Sequence, residues 1–343
     1  MNEPRRIFLI QTAYIGDVVL STPLPHALRD VYPTAEIDIL LIPETEIVYR
    51  YSPYIHKILV FDKRKGLPRK LWSFFRLVHH LRTRRYDLAL SVHVSYTSSL
   101  IMLLSGARIR IGYPRQRFTT VSVRAPRGFP MHQRSLQLLR ALSTRRFDLS
   151  TEMHIPQHAV EKVDAYTARM GLDVERLVCL APGSVWATKR WLPEYFAELI
   201  RMLVTAGWQC AVLGGKADFT LCSGIVGASQ VPAVNAAGEF DLLGSSELIR
   251  RSRLLISNDS GPLHIGDAVY TPVLALMGPT STPGFLPCRE HDRIAAIDLY
   301  CRPCGKHGHR KCPEGHWRCM RDLKPEAVFS IALEMLETRQ NKK

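Results

Sequence analysis

The stretch Leu254-Leu255-Ile256-Ser257-Asn258-Asp259-Ser260-Gly261-Pro262-Leu263-His264 changes character within a few residues. Leu254 to Ser257 is a short apolar run of the kind buried in a parallel sheet. Gly261 permits the turn that follows, and Pro262 is preset for the first position of a helix, which is predicted from there. The bared amides of that helix form an anion site, and Asp259, Ser260 and His264 surround it. Alone, His264 reads as readily as a core histidine bonded to its neighbours. The whole octet Ser257 to His264, at a strand–helix junction, is a far more specific signal for a ligand.

The same alternation extends in both directions. Downstream, Val273 to Met277 reads as a further strand. Upstream, a cycle opens with Leu177-Val178-Cys179-Leu180-Ala181, continues as a helix from about Pro193 to Gly207, and returns as a strand over Gln209 to Leu213. An earlier cycle opens at Ile7 to Gln11. There a helix is expected from about Asp17, ended by Pro33, with strands at Glu36 to Ile42 and Asp87 to Val92. Short apolar strands alternating with helices predict an α/β fold of parallel sheets covered on both faces. The 343 residues suit two domains of about 150 residues each. The expected architecture is two Rossmann-like, doubly wound domains facing across a cleft, over residues 1–160 and 170–323. A linker is expected near residues 150–176, and a C-terminal helix and tail over 324–343.

Charge is unevenly spread. The net charge of +15 falls almost wholly on residues 1–150, which carry 24 Lys and Arg against 10 Asp and Glu, whereas residues 151–343 carry 22 against 21. Between Asp87 and Asp148 there is no acid, but there are Arg108, Arg110, Arg115, Arg117, Arg124, Arg127, Arg134, Arg140, Arg145 and Arg146. Lys63 to Arg85 is also free of acids and carries nine basic residues. A one-signed field opposes compactness, and a merely solvated face mixes its signs. Phosphates, carboxylates or an anionic leaflet are the expected partners.

No apolar run approaches the roughly 20 residues of a membrane span. Gln11 interrupts the apolar start behind Arg5 and Arg6, and no small-residue cleavage site follows. A first strand and a cytoplasmic location are therefore expected, not a signal peptide. Cys179, Cys210, Cys222 and Cys288 sit in apolar or mixed surroundings, as reduced core thiols do.

Two more stretches carry candidate chemistry. Ile15-Gly16-Asp17-Val18-Val19-Leu20-Ser21-Thr22-Pro23 follows the first strand. Asp17 falls where a helix starts and its carboxylate is stabilised by exposed amides. From there it is suited to take a proton from a hydroxyl, although a plain helix cap is the simpler account of this stretch alone. Pro182-Gly183-Ser184-Val185-Trp186-Ala187-Thr188-Lys189-Arg190-Trp191 lies between a strand and the helix opened by Pro193. Gly183 and Ser184 offer donors to phosphate, and Lys189 is a compact charge suited to a leaving diphosphate. Trp186 and Trp191 flank the basic pair and weigh against a bare surface loop. There is no G-x-G-x-x-G, no G-x-x-x-x-G-K-[ST], no G-x-S-x-G and no D-x-D pair.

In order and spacing, the three stretches resemble glycosyltransferase family 9, the ADP-heptose:lipopolysaccharide heptosyltransferases, from Ile7 to about Phe329. Ser257 to His264 is the most specific part, followed by Gly16-Asp17 with Thr22-Pro23. The resemblance implies a GT-B fold and an inverting, metal-independent transfer of heptose from ADP-heptose. The acceptor would be the acidic, Kdo-bearing lipid A core, bound by the first domain, with the donor on the second. Asp17 would be the general base and Lys189 would stabilise the departing pyrophosphate. Ser184, Asp259, Ser260, Gly261 and His264 would hold the donor, joined by Asp218 on a looser match. The basic residues Arg108, Arg110, Arg115 and Arg117 are candidates for the acceptor, and an anionic inner-membrane surface is an expected partner. Nucleic acid is not. A GT-B transferase for another nucleotide-sugar is the nearest alternative, and a basic nucleic-acid binder is the alternative outside enzymes.

A fourth stretch holds Cys301-Arg302-Pro303-Cys304, then Cys312 and Cys319. Four cysteines have the ligand count of a structural zinc site, but the spacings are not those of a standard finger. Reduced thiols or a redox-sensitive pair are the other readings. The segment resembles that of heptosyltransferase II-like members, and no cofactor is expected for catalysis itself.

Overall fold

The computed structural model describes residues 3–62, 66–125, 131–280, 289–305 and 307–340. Residues 63–65, Arg127 and Cys288, named above, lie outside them. The chain divides after His154 into two compact units.

In the first, β1 (Arg6–Ile10), β2 (Glu36–Leu41), β3 (Lys57–Val60), β4 (Leu88–Ser91), β5 (Ile109–Gly112) and β6 (Val121–Ser122) form one sheet. Its order is β3-β2-β1-β4-β5-β6, and its pairs are parallel. The second unit repeats the plan with β7 (Leu177–Ala181), β8 (Gln209–Val212), β9 (Val234–Asn235), β10 (Leu254–Asn258), β11 (Val273–Leu276) and β12 (Arg293–Ala295). The order there is β12-β11-β10-β7-β8-β9, again parallel. Each sheet thus grows one way from its first strand and restarts on that strand's other side. The order reverses between β1 and β4, and between β7 and β10, where a doubly wound domain binds its ligand.

The central strands form because they are buried on both faces. Every residue of β7 and β10 is buried. Alternate residues Val178, Leu180, Leu254, Ile256, Leu274 and Leu276 meet Phe196, Leu199, Ile200 and Leu203 of the Pro193–Thr205 helix. Phe8, Ile10, Leu40 and Ala89 likewise meet Leu77 and Leu81 of the Leu67–Arg84 helix. The helix Pro325–Gln340 adds Val328, Ala332 and Leu336 to the second core. Cys179, Cys210 and Cys222 are buried and free, and burial pushes the Cys179 and Cys222 thiols up to about 12.

Two expectations are corrected. The helix expected from Asp17 to Pro33 is broken into Ile15–Val19 and Pro23–Val31. Ser21 and Thr22 cause the break, because their hydroxyls donate to the carbonyls of Val18 and Val19 at 2.7 and 2.8 Å, and Pro23 restarts the helix. The supposed linker contains the helix Gln157–Met170, which belongs to the second unit and buries Ala159, Val163 and Tyr166. Among the described residues, no helix is long and apolar enough to cross a membrane.

Candidate active site

Parallel strands deliver the loops that follow them to one edge of the sheet. In the second unit, the loops after β7 and β10 are stitched together by Asn258, which is wholly buried. Its Oδ1 accepts from the Trp191 backbone N–H at 3.1 Å, and its Nδ2 donates to the Pro182 carbonyl at 2.7 Å. The loop after β7 curls so that Arg190 Nε donates to the Ser184 carbonyl at 2.8 Å. A single 3-10 turn, Ala187–Lys189, then aims Lys189 at the loop after β10.

Lys189 Nζ lies 2.6 Å from Asp259 Oδ2. The Thr280 hydroxyl, delivered by the loop after β11, donates to the same oxygen at 2.6 Å. Burial opposes ionisation of Asp259. The Lys189 ammonium, the Thr280 hydroxyl and His264 outweigh it and hold the carboxyl below the usual range. Ser260 is the N-cap of the helix Gly261–Ala268 but makes no capping hydrogen bond. Its Oγ is buried without a hydrogen-bond partner among the described residues. His264 is buried in the same helix. The site therefore gathers a cation, a hydroxyl with no partner among the described residues and a helix N-terminus at one place, groups suited to a diphosphate.

Asp218 joins them from the loop after β8. Its Oδ2 accepts from the Gly215 N–H at 3.0 Å, and its carboxylate would lie 3.3 Å from a Cβ at Gly183. A side chain at Gly183 would press on that carboxylate, so the glycine eases the close approach of the two loops.

In the first unit, Asp17 follows β1 as the third residue of the helix Ile15–Val19. The N-cap is Tyr14, so Asp17 is not the capping residue. Beside it, Thr12 Oγ1 lies 3.0 Å from His93 Nδ1, joining the loop after β1 to the loop after β4. Arg115 and Arg117 follow β5 and are exposed on the same carboxyl edge, with Arg117 5.9 Å over the Tyr96 ring. Arg108 precedes β5 and so stands at the opposite edge. Arg110 is spent on its own loop, donating to the carbonyls of Phe118 and Ala107 at 2.8 and 2.7 Å.

The zinc reading of Cys301, Cys304, Cys312 and Cys319 gains no support from the geometry. Among the described residues, no group of three His, Cys, Asp or Glu side chains is placed to hold a metal ion. The four thiols are free and near enough to influence one another. Their partners, however, are local. Cys312 Sγ accepts from the Trp317 N–H at 3.4 Å, and Cys301 Sγ lies 3.8 Å from His316 Nε2. Cys319 is drawn into the apolar core beside Met320, where burial raises its thiol to about 11.

His93, Thr188 and Thr280 were not singled out from the sequence. Each stands just past a strand, or in a strand-to-helix loop, on a carboxyl edge. That position is the signal by which they were recognisable.

Residues 74–317 match the model of glycosyltransferase family 9 (heptosyltransferase). Lipopolysaccharide heptosyltransferase 2 of Escherichia coli (strain K12) is 28% identical over 94% of this chain and 96% of its own. A glycosyltransferase family 9 structure from Veillonella parvula DSM 2008 superposes with a TM-score of 0.88 at 23% identity, over 97% of this chain and 98% of that one. The structure of E. coli ADP-heptose lps heptosyltransferase II gives 0.79 at 23% identity, over 98% and 99%. With the fold, the site at the carboxyl edge and a match over most of its length, this chain belongs to glycosyltransferase family 9 and is a glycosyltransferase of the GT-B fold.

Proposed function

We propose that the chain transfers heptose from ADP-heptose to the acidic inner core of lipopolysaccharide, with inversion and without a metal. The name of the E. coli relative supports the substrate class. The observation that carries the reading is the Lys189–Asp259 pair beside the free Ser260 hydroxyl at a helix N-terminus. The ADP diphosphate gains charge as the glycosidic bond breaks, and Lys189 and the positive end of the Gly261–Ala268 helix dipole stabilise that charge. Ser184, Asp218 and His264 complete the donor set. Asp17 takes the proton from the acceptor hydroxyl as it attacks the anomeric carbon from the face opposite ADP.

Acceptor binding is assigned to the first unit, where Arg115 and Arg117 suit phosphates and carboxylates. An anionic inner-membrane surface on the cytoplasmic side is the setting this reading requires. In support, the Leu67–Arg84 helix exposes Leu71, Trp72, Phe75, Arg76 and His79 along one side, the pattern of an interfacial helix. Arg76 lies 4.6 Å over the Trp72 ring.

The test is release of ADP from ADP-heptose, with and without a heptose-deficient, Kdo-containing lipid A core or the same core carrying one heptose. Acceptor-dependent release is expected. No release with either acceptor from folded protein would redirect the assignment to another nucleotide-sugar on the same fold.

A further inference from the structure

The cysteine-bearing segment lies over the donor loop. From Cys304 it runs back along the carboxyl edge of the second sheet, where the Cys304 N–H donates to the Pro279 carbonyl at 2.9 Å. Gly305 then bridges Thr280, whose hydroxyl holds Asp259. Next the segment meets Thr188, the residue before Lys189. The Thr188 N–H donates to the His309 carbonyl at 3.1 Å, and the His309 N–H donates to the Thr188 hydroxyl at 2.7 Å. That hydroxyl in turn donates to the His309 carbonyl at 3.0 Å, and Trp317 Nε1 donates to the Thr188 carbonyl at 3.0 Å. Every polar group of Thr188 is thus bonded to this one segment. Gly308 is buried there, and a Cβ on it would lie 2.5 Å from Trp186 Cβ and 2.9 Å from Lys189 Cγ. At the far end, Cys319 and Met320 anchor the segment in the core.

We propose that residues 304–305 and 307–319 form a strap that positions Lys189 for the donor diphosphate, with Thr188 and Gly308 as its points of contact. This rests on the role given to Lys189 above. A lysine on a one-turn loop would otherwise lose much of its aim to side-chain and loop freedom. The strap fixes the backbone at Thr188 and leaves no room beside the Lys189 stem, so the ammonium meets Asp259 before any donor arrives. Stabilising groups fixed in advance are worth more than groups that must reorganise. Thr188 and Gly308 are positioning residues that act through Lys189, and the cysteines serve to fold and anchor the strap.

The test measures ADP affinity, kcat and acceptor KM in Thr188→Val, Thr188→Ser, Gly308→Ala and Lys189→Met, and in Gly308→Ala combined with Lys189→Met. A misplacement of about 1 Å costs on the order of a hundredfold in rate. Thr188→Val and Gly308→Ala are expected to lose roughly that much kcat and to bind ADP more weakly, with acceptor KM unchanged. Thr188→Ser, which keeps the hydroxyl, is expected to hold near wild-type turnover. In the Lys189→Met background, Gly308→Ala should cost no further ADP affinity, because the strap acts through the missing group. An equal loss from Gly308→Ala with and without Lys189 overturns the strap's role. So does full turnover in both Thr188→Val and Gly308→Ala when Lys189→Met is impaired. Wild-type ADP affinity and turnover in Lys189→Met would sink the reading of Lys189 itself, and the strap with it. Thr188→Val removes only hydroxyl bonds, so it keeps the question decidable if Gly308→Ala does not fold.

Discussion

Lys189 and Asp259 form a nearly buried ion pair, their side chains 12% and 6% exposed and their charged atoms 2.6 Å apart. A pair out of water depends on both members, because losing one strands the other's charge. Lys189→Met is therefore expected to destabilise the protein by about 3 kcal/mol. Lys189→Met with Asp259→Asn should recover most of that, and urea unfolding of the three proteins measures it. Asp259 has a lowered pKa, so its contribution is present above the unfolded carboxyl pKa. It is lost as pH falls through the lower folded value.

Asp17→Asn is expected to lower kcat by about 100-fold to 10,000-fold, the range for removing a general base, while ADP affinity stays at the wild-type value. The two effects separate because Asp17 follows β1 in the first unit and the residues proposed to hold the donor stand on the second. Titration calorimetry with ADP and turnover with the core acceptor decide it, and lost ADP binding would count against the role.

Asp292 predicts a pH dependence of stability. Burial first, then the neighbouring Asp267, pushes its carboxyl up to about 7, against the opposing pull of the Val273 N–H and Arg289. The folded protein keeps this proton between about pH 4 and 7 while the unfolded chain releases it. Stability from this group is thus full below the unfolded value, falls as pH rises across that window, and levels off above it. Asp292→Asn should flatten the decline and melt higher than wild type at pH 8. A melting curve unchanged by the substitution at pH 5 and pH 8 would refute the assignment.

Trp72→Ser combined with Phe75→Ser is expected to reduce co-sedimentation with vesicles rich in phosphatidylglycerol several-fold. Turnover on a detergent-soluble core acceptor should be unaffected. Equal co-sedimentation of variant and wild type would remove this helix as the contact.

The parallel α/β organisation was legible because β1, β7 and β10 are buried on both faces and so read as largely apolar runs. Asp259, Ser260 and Lys189 were legible for a related reason, since each stands directly after such a strand or in the loop leading from it. The break at Ser21 and Thr22 was not legible. Two hydroxyls bonding back to carbonyls leave no apolar pattern, and Pro23 suits a helix start as well as an interruption. Arg108 and Arg110 look alike in sequence, and only the place of Arg108 before β5 and the bonds of Arg110, inside it, to Phe118 and Ala107 separate them. The count of cysteines is visible in a sequence, whereas the space beside Lys189 that Gly308 leaves is not.

The partner of Thr188 stands 121 residues further along the chain. At a synthesis rate of about 10 residues per second, His309 is made roughly 12 seconds after Thr188. The donor loop thus spends that interval without its clamp, and a growing chain cannot fix Lys189 until this last part of the second domain has been made. The proposed strap would thus also set the moment in synthesis at which Lys189 gains its fixed aim.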